Sequence, residues 1–119
     1  MSHNQDIGQL GEDIAVKYLE SKKYKIVERN LKISYKELDI VAYEGDILVF
    51  VEVKTRLSQR YGGADDALFP KKSYQFKRAA EFYMDRHKID TEDFRIDFIS
   101  VNLKANRTAD IRHHKDYCF

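Results

Sequence analysis

One proline and five glycines in 119 residues exclude collagen-like, proline-rich and loop-dominated architectures. A single cysteine, Cys118, excludes an internal disulfide and a cysteine-built zinc framework, so nothing points to secretion. No apolar run approaches the roughly 20 residues that a membrane span requires. The opening Met1-Ser2-His3-Asn4-Gln5-Asp6 lacks the basic and apolar segments of a signal peptide. The expectation is therefore a soluble cytoplasmic protein with no membrane partner. What the chain does have is apolar mass: 43% hydrophobic residues, with eight Tyr and seven Phe. That suffices for the core of one domain over residues 1–119.

Apolar residues Ile7, Leu10, Ile14, Tyr18 and Leu19 recur at helical spacing and predict a helix over about 7–23. Strands are predicted over 24–33, 37–43 and 47–56, with Glu44-Gly45-Asp46 as a hairpin turn between the last two. Residues 57–69 contain Gly62-Gly63 and read as a loop with a short helical turn over 64–68; beside Tyr61, the glycines would allow a loop that closes over a substrate, but a plain connecting loop is the preferred reading. Pro70 fits the start of a second helix, running to about His87. A strand over 94–103 and an edge strand over 111–119 complete the order. The fold class is α/β, a single mixed sheet with helices packed on it.

A two-residue turn at Gly45-Asp46 would set Glu44 against Ile47, Asp39 against Glu52 and Glu37 against Lys54. With period-two alternation, these last four residues share one face, and Leu38, Ile40, Val49, Val51 and Val53 share the other. Directly opposed like charges are destabilising. Asp39 against Glu52 thus calls for a cation, and Mg²⁺ needs only one or two carboxylates. On the first helix, Glu12 falls between Leu19 and Val16 at the edge of the apolar arc, directed towards the sheet. Gly8 and Gly11 lie in that arc, where close approach of helix to sheet is the expected reason for two helix-weakening residues.

Gly8-x-x-Gly11-Glu12, Glu37-x-Asp39 and Glu52-Val53-Lys54-Thr55-Arg56, with Arg29-Asn30 and Phe50-Val51-Glu52-Val53-Lys54 as the most specific stretches, resemble the YraN family of small bacterial proteins. By fold they are similar to archaeal Holliday junction resolvases. The resemblance implies the restriction-endonuclease-like superfamily, with a central mixed sheet flanked by helices and an Asp…Glu-x-Lys nuclease site holding Mg²⁺ or Mn²⁺. It places Glu12, Asp39, Glu52 and Lys54 at catalytic positions, and Lys36 stands where the family usually has Gly. Read chemically, Asp39 and Glu52 would hold the metal with the Val53 carbonyl, and Lys54 would orient water or stabilise charge on the phosphate. Glu12 would reach that metal or a second ion. Glu37 is either an outer ligand or the partner of Lys54. The implied activity is Mg-dependent DNA cleavage, with branched or damaged DNA as candidate substrates. The alternative is a non-catalytic nucleic-acid-binding or partner-binding module that keeps the fold. Resolvase-like cutting of two strands would call for a homodimer.

Charge is unevenly spread. Residues 54–78 carry a net +5, against −3 before and −1 after them. Arg56, Arg60, Lys71 and Lys72 in this strip are candidate phosphate contacts. His113, His114 and Cys118 do not have the spacing of a zinc site and read as strand residues. Asp97 is expected to pair with Arg95 or Arg112 and is assigned no chemistry.

Overall fold

A computed structural model describes residues 3–33, 36–57, 72–90, 93–106 and 108–116. Helix α1 (His3–Ser21) leads into strands β1 (Tyr24–Ile33), β2 (Lys36–Glu44) and β3 (Ile47–Leu57). Helix α2 (Lys72–Arg86) crosses over to β4 (Phe94–Leu103), and β5 (Ala109–His114) ends the described fold. All five strands form one sheet in sequential order, antiparallel except for the β3–β4 pair. The predicted loop over 57–69, its Gly62-Gly63 pair and the helix start at Pro70 lie almost wholly outside the described residues. So does the last part of the predicted edge strand.

The two helices cover opposite faces. On one, Ala15, Val16 and Leu19 of α1 pack with Tyr24, Ile40, Ala42, Val49, Val51, Ile99 and Val101. On the other, Phe76, Ala79, Ala80, Tyr83 and Met84 of α2 pack with Ile33, Leu38, Val41, Leu48, Phe50 and Ile96. Strand β3 is buried on both sides, which explains its nearly continuous apolar run from Leu48 to Val51. The predicted stripe on α1 is partly corrected. Leu10 is half exposed, and α1 instead seats the small residues Gly11 and Ala15 against the sheet.

Gly11 shows why. A Cβ there would overlap the Thr55 hydroxyl and come within 2.6 Å of the Thr55 Cβ. Thr55 is β-branched and stiff at χ1, so it cannot swing aside. Gly11→Ala is expected to lift α1 from β3 and cost about 1–3 kcal/mol, measurable by chemical denaturation. The expectation of close packing fails for Gly8, where an added Cβ meets nothing within 4 Å.

The β2–β3 hairpin turns through Gly45, whose φ of +62° favours glycine. The ladder runs in the predicted register from Glu44↔Ile47 to Ile40↔Val51 and ends there. Beyond it β3 stays paired with β4 as far as Leu57↔Leu103, and β2 stays paired with β1 as far as Lys36↔Ile33. The sheet therefore opens between β2 and β3 at Asp39.

Candidate functional site

The opening has a local cause in β1. Asn30 adopts a left-handed φ of 51°, a conformation that Asn tolerates better than most residues. Its neighbours pair as Arg29↔Ile40 and Leu31↔Leu38. Leu38 and Val41 pack towards α2, whereas Ile40 packs towards α1, so alternation in β2 slips between Leu38 and Ile40. This corrects the expectation that Leu38 shares a face with Ile40, Val49, Val51 and Val53. Across from the slip, Arg29 and Asn30 both turn towards α1 and hydrogen-bond Glu12.

Asp39 sits at this slip. Its Oδ2 accepts the main-chain N–H of Val53 at 2.8 Å, taking the place of the strand partner that β2 no longer offers. Asp39 and Glu52 are therefore not ladder partners, and Glu37 pairs with Lys32 instead of Lys54. Glu52 and Lys54 follow Leu48 and Phe50 by alternation towards the α2 side, with Lys54 Nζ 3.9 Å from Glu52 Oε2. The expected single face is thus divided, with the Asp39 carboxylate in the seam. Burial drives its pKa up to about 7, with Glu52, Glu12 and Glu37 adding repulsion and the Val53 amide opposing.

Glu12 is 7% exposed and accepts from Arg29 Nη2 at 3.1 Å. Burial raises its pKa, while the bonds from Arg29 and Asn30 act the other way. Glu12, Glu37 and Asp39 line a cleft of about 620 Å³ together with Ile7, Gly8, Gln9, Asn30, Val53 and Thr55. The structure thus gathers three of the sequence-assigned acids in the cleft and leaves Glu52 and Lys54 on the other side of β3. It adds Arg29, Asn30 and Thr55, which have no assigned role in the sequence analysis. A mid-strand Asn, a poor strand former that accepts left-handed φ, was the available signal.

Among the described residues no three His, Cys, Asp or Glu side chains converge into a cage for an ion. The donor set is nonetheless all oxygen, and to the burial that raises the Asp39 pKa the neighbours Glu52, Glu12 and Glu37 add a repulsion that a cation would relieve. That suits Mg²⁺ or Mn²⁺, which take one or two carboxylates and fill their shells with water and phosphate. Of the basic strip, Arg56 is half-buried, and its Nε has no hydrogen-bond partner among the described residues. Arg60 and Lys71 lie outside the described residues, as does the Lys72 side chain. Lys36, at the position where the resemblance led one to expect Gly, opens β2 with its ammonium 5.6 Å from the centre of the Phe82 ring.

A second polar cluster lies towards the hairpin-turn end of the sheet. Asp97 is fully buried and pairs with Arg95, not Arg112, through Nε at 2.8 Å and Nη2 at 3.1 Å. His113 donates Nε2–H to Asp97 at 2.7 Å, leaving Nδ1 to accept the Tyr18 hydroxyl of α1 at 3.1 Å. The Tyr24 hydroxyl and the Asp116 amide complete the shell. Burial alone would raise the Asp97 pKa, but these donors hold it at about 2. The cluster ties α1 to β4 and β5 and lines no part of the cleft.

No helix is long and apolar enough to cross a membrane among the described residues. The family model of uncharacterised protein family UPF0102 matches residues 11–101. A UPF0102 protein of Dictyoglomus turgidum is 40% identical over 101 residues, 85% of this chain and 86% of that one. One of Syntrophus aciditrophicus is 39% identical over 104 residues, 87% of this chain and 82% of that one. One of Clostridium kluyveri is 40% identical over 116 residues, 97% and 95% of the two chains. The chain belongs to family UPF0102, the YraN family, a member of the restriction-endonuclease-like superfamily.

Proposed function

We propose that this protein is a Mg²⁺- or Mn²⁺-dependent endonuclease that hydrolyses phosphodiester bonds of DNA, with branched or damaged DNA as its substrate class. The observation that carries this reading is Asp39, a carboxylate held in a strand seam with its pKa raised to about 7 by burial and by Glu52, Glu12 and Glu37. Such a group resists carrying its charge until a cation is present. Asp39, in the seam, would hold the ion, with Glu12 and Glu37 from the cleft and Glu52 from the other face of β3. When bound, Mg²⁺ would polarise a phosphate and lower the pKa of an attacking water. Lys54, beside Glu52, would support negative charge on the phosphate from that second face. Arg29 and Asn30 fix Glu12, and the Val53 amide fixes Asp39, so that neither carboxylate needs to reorganise. The basic strip, Arg56 included, takes flanking phosphates.

The test is incubation of purified protein with labelled duplex, single-stranded, flap and four-way-junction DNA in Mg²⁺, Mn²⁺ or chelator. Metal-dependent cleavage supports the reading. The second reading is a non-catalytic DNA-binding module, and DNA binding without cleavage in either metal would establish it. Symmetric cutting of a junction needs two centres, so a homodimer belongs to the junction reading; sedimentation equilibrium checks it. Arg56→Ala is expected to weaken DNA binding and reduce the salt slope by about 1, as one phosphate contact is lost. An unchanged slope in titrations at several salt concentrations would place the DNA elsewhere.

A further inference from the structure

Two glycines lie inside α1 (His3–Ser21), each costing about 1 kcal/mol relative to alanine in a helix interior. Packing explains Gly11, whose Cβ would strike Thr55. It does not explain Gly8. A Cβ at Gly8 meets nothing within 4 Å, and the residue needs no unusual φ. The space beside it is the cleft, which Gly8 lines together with Ile7, Glu12, Asp39, Val53 and Thr55. The fold would thus accept a side chain here, yet the helix keeps the one residue that leaves the wall bare.

We infer that Gly8 is the point where the sugar-phosphate backbone of the substrate passes against α1, a reading that rests on the cleft being the nuclease site. The carboxyl groups of Glu12, Glu37 and Asp39 disfavour a bare phosphate, and a divalent cation at Asp39 would let one enter this cleft. Ile7, Gly8 and Val53 form the apolar part of the lining, matched to the face of a deoxyribose. Without a Cβ at Gly8 the sugar reaches van der Waals contact with the helix backbone. A side chain there would hold the strand away from Asp39, and displacement of a reacting group by even about 1 Å costs on the order of 100-fold in rate.

Gly8→Ala and Gly8→Leu test this, because the fold and the substrate make opposite demands. Three quantities are measured for each variant and the parent: the melting temperature in chelator, Mn²⁺ affinity by calorimetry, and binding of labelled duplex, single-stranded and four-way-junction DNA in Ca²⁺ by anisotropy. Gly8→Ala is expected to melt about 4 °C higher, from the gain in helix propensity. Gly8→Leu is expected to melt no lower than the parent, and both should keep Mn²⁺ affinity within about twofold, since no ligand is touched. DNA affinity should fall at least ~10-fold in Gly8→Leu, with Gly8→Ala intermediate. Parent-like DNA affinity in Gly8→Leu, beside a parent that binds DNA, would overturn this inference alone. So would a marked drop in melting temperature for Gly8→Ala, since the glycine would then serve the fold. A parent that binds none of the three DNAs would overturn both this inference and the nuclease reading.

Discussion

Asp39→Asn is expected to abolish most metal-dependent cleavage while leaving the protein at least as stable as the parent in chelator. The two effects share one cause. In the folded chain Asp39 has a pKa of about 7, against an ordinary 3.8, so ionising it costs more in the folded state than in the unfolded one. A raised carboxylate contributes stability at low pH that is lost as pH rises, here between 3.8 and about 7. Asparagine keeps the shape, and its amide oxygen still accepts the Val53 N–H, but it carries no charge. The variant should therefore lack the parent's decline across that window. At pH 8 in chelator it should melt about 5 °C higher, the shift that about 1 kcal/mol gives a domain of this size. Cleavage should fall by ~10²–10³, the usual consequence of removing one preorganised charge from a transition-state site. A solvated framework aspartate would behave otherwise, with parent-like activity and no pH-dependent difference in melting.

The largest loss of stability is expected at Asp97, far from the chemistry. Asp97→Asn replaces an acceptor-only carboxylate with a group whose amide must face Arg95, His113 or the Asp116 amide, all of them donors. Arg95 would be left beside a partner unable to neutralise it. Breaking a buried pair in this way costs about 3–5 kcal/mol, which urea denaturation at pH 7 measures directly. The pH dependence has the opposite sign to that of Asp39. A carboxylate held at about 2 in the folded state, against an ordinary 3.8, contributes stability above pH 3.8 that disappears as pH falls towards 2. The parent should accordingly lose stability steeply in that window, and the variant should not. Similar acid sensitivity in both would mean that Asp97 is not the carboxylate responsible.

Much of the fold is legible in the sequence because its signals are local. The period of 3.6 in α1, the glycine turn at Gly45 and the alternation in β4 each set an element without reference to the rest. The register of the hairpin follows from the turn alone, as far as Ile40↔Val51. What happens beyond that pair is decided elsewhere. Asn30 of β1 takes a left-handed φ across from Asp39, and there Leu38 and Ile40 pack on opposite faces. No pattern around Asp39 announces this, since acidic and apolar residues alternate from Glu37 to Ile40. Of the Asp97 cluster only the Arg95 pair was legible, two residues apart on one strand. The other members come from α1, β1, β5 and the residues after it, and a buried network spread over separate elements leaves no spacing to read. Glu12 was legible because helix geometry alone put it at the edge of the buried arc. Its partners Arg29 and Asn30 were seen only as a motif, because their direction depends on a strand irregularity.

The divalent cation proposed at Asp39 is sought by titrating Mn²⁺ into the parent and Asp39→Asn, with and without DNA, and following heat release and melting temperature. The parent should bind, and at 100 times its dissociation constant the ion should add about 2.7 kcal/mol of stability by mass action, most of which Asp39→Asn should lose. Millimolar Mn²⁺ that leaves the parent unmoved with or without DNA, or that stabilises both proteins equally, would contradict a cation site at Asp39.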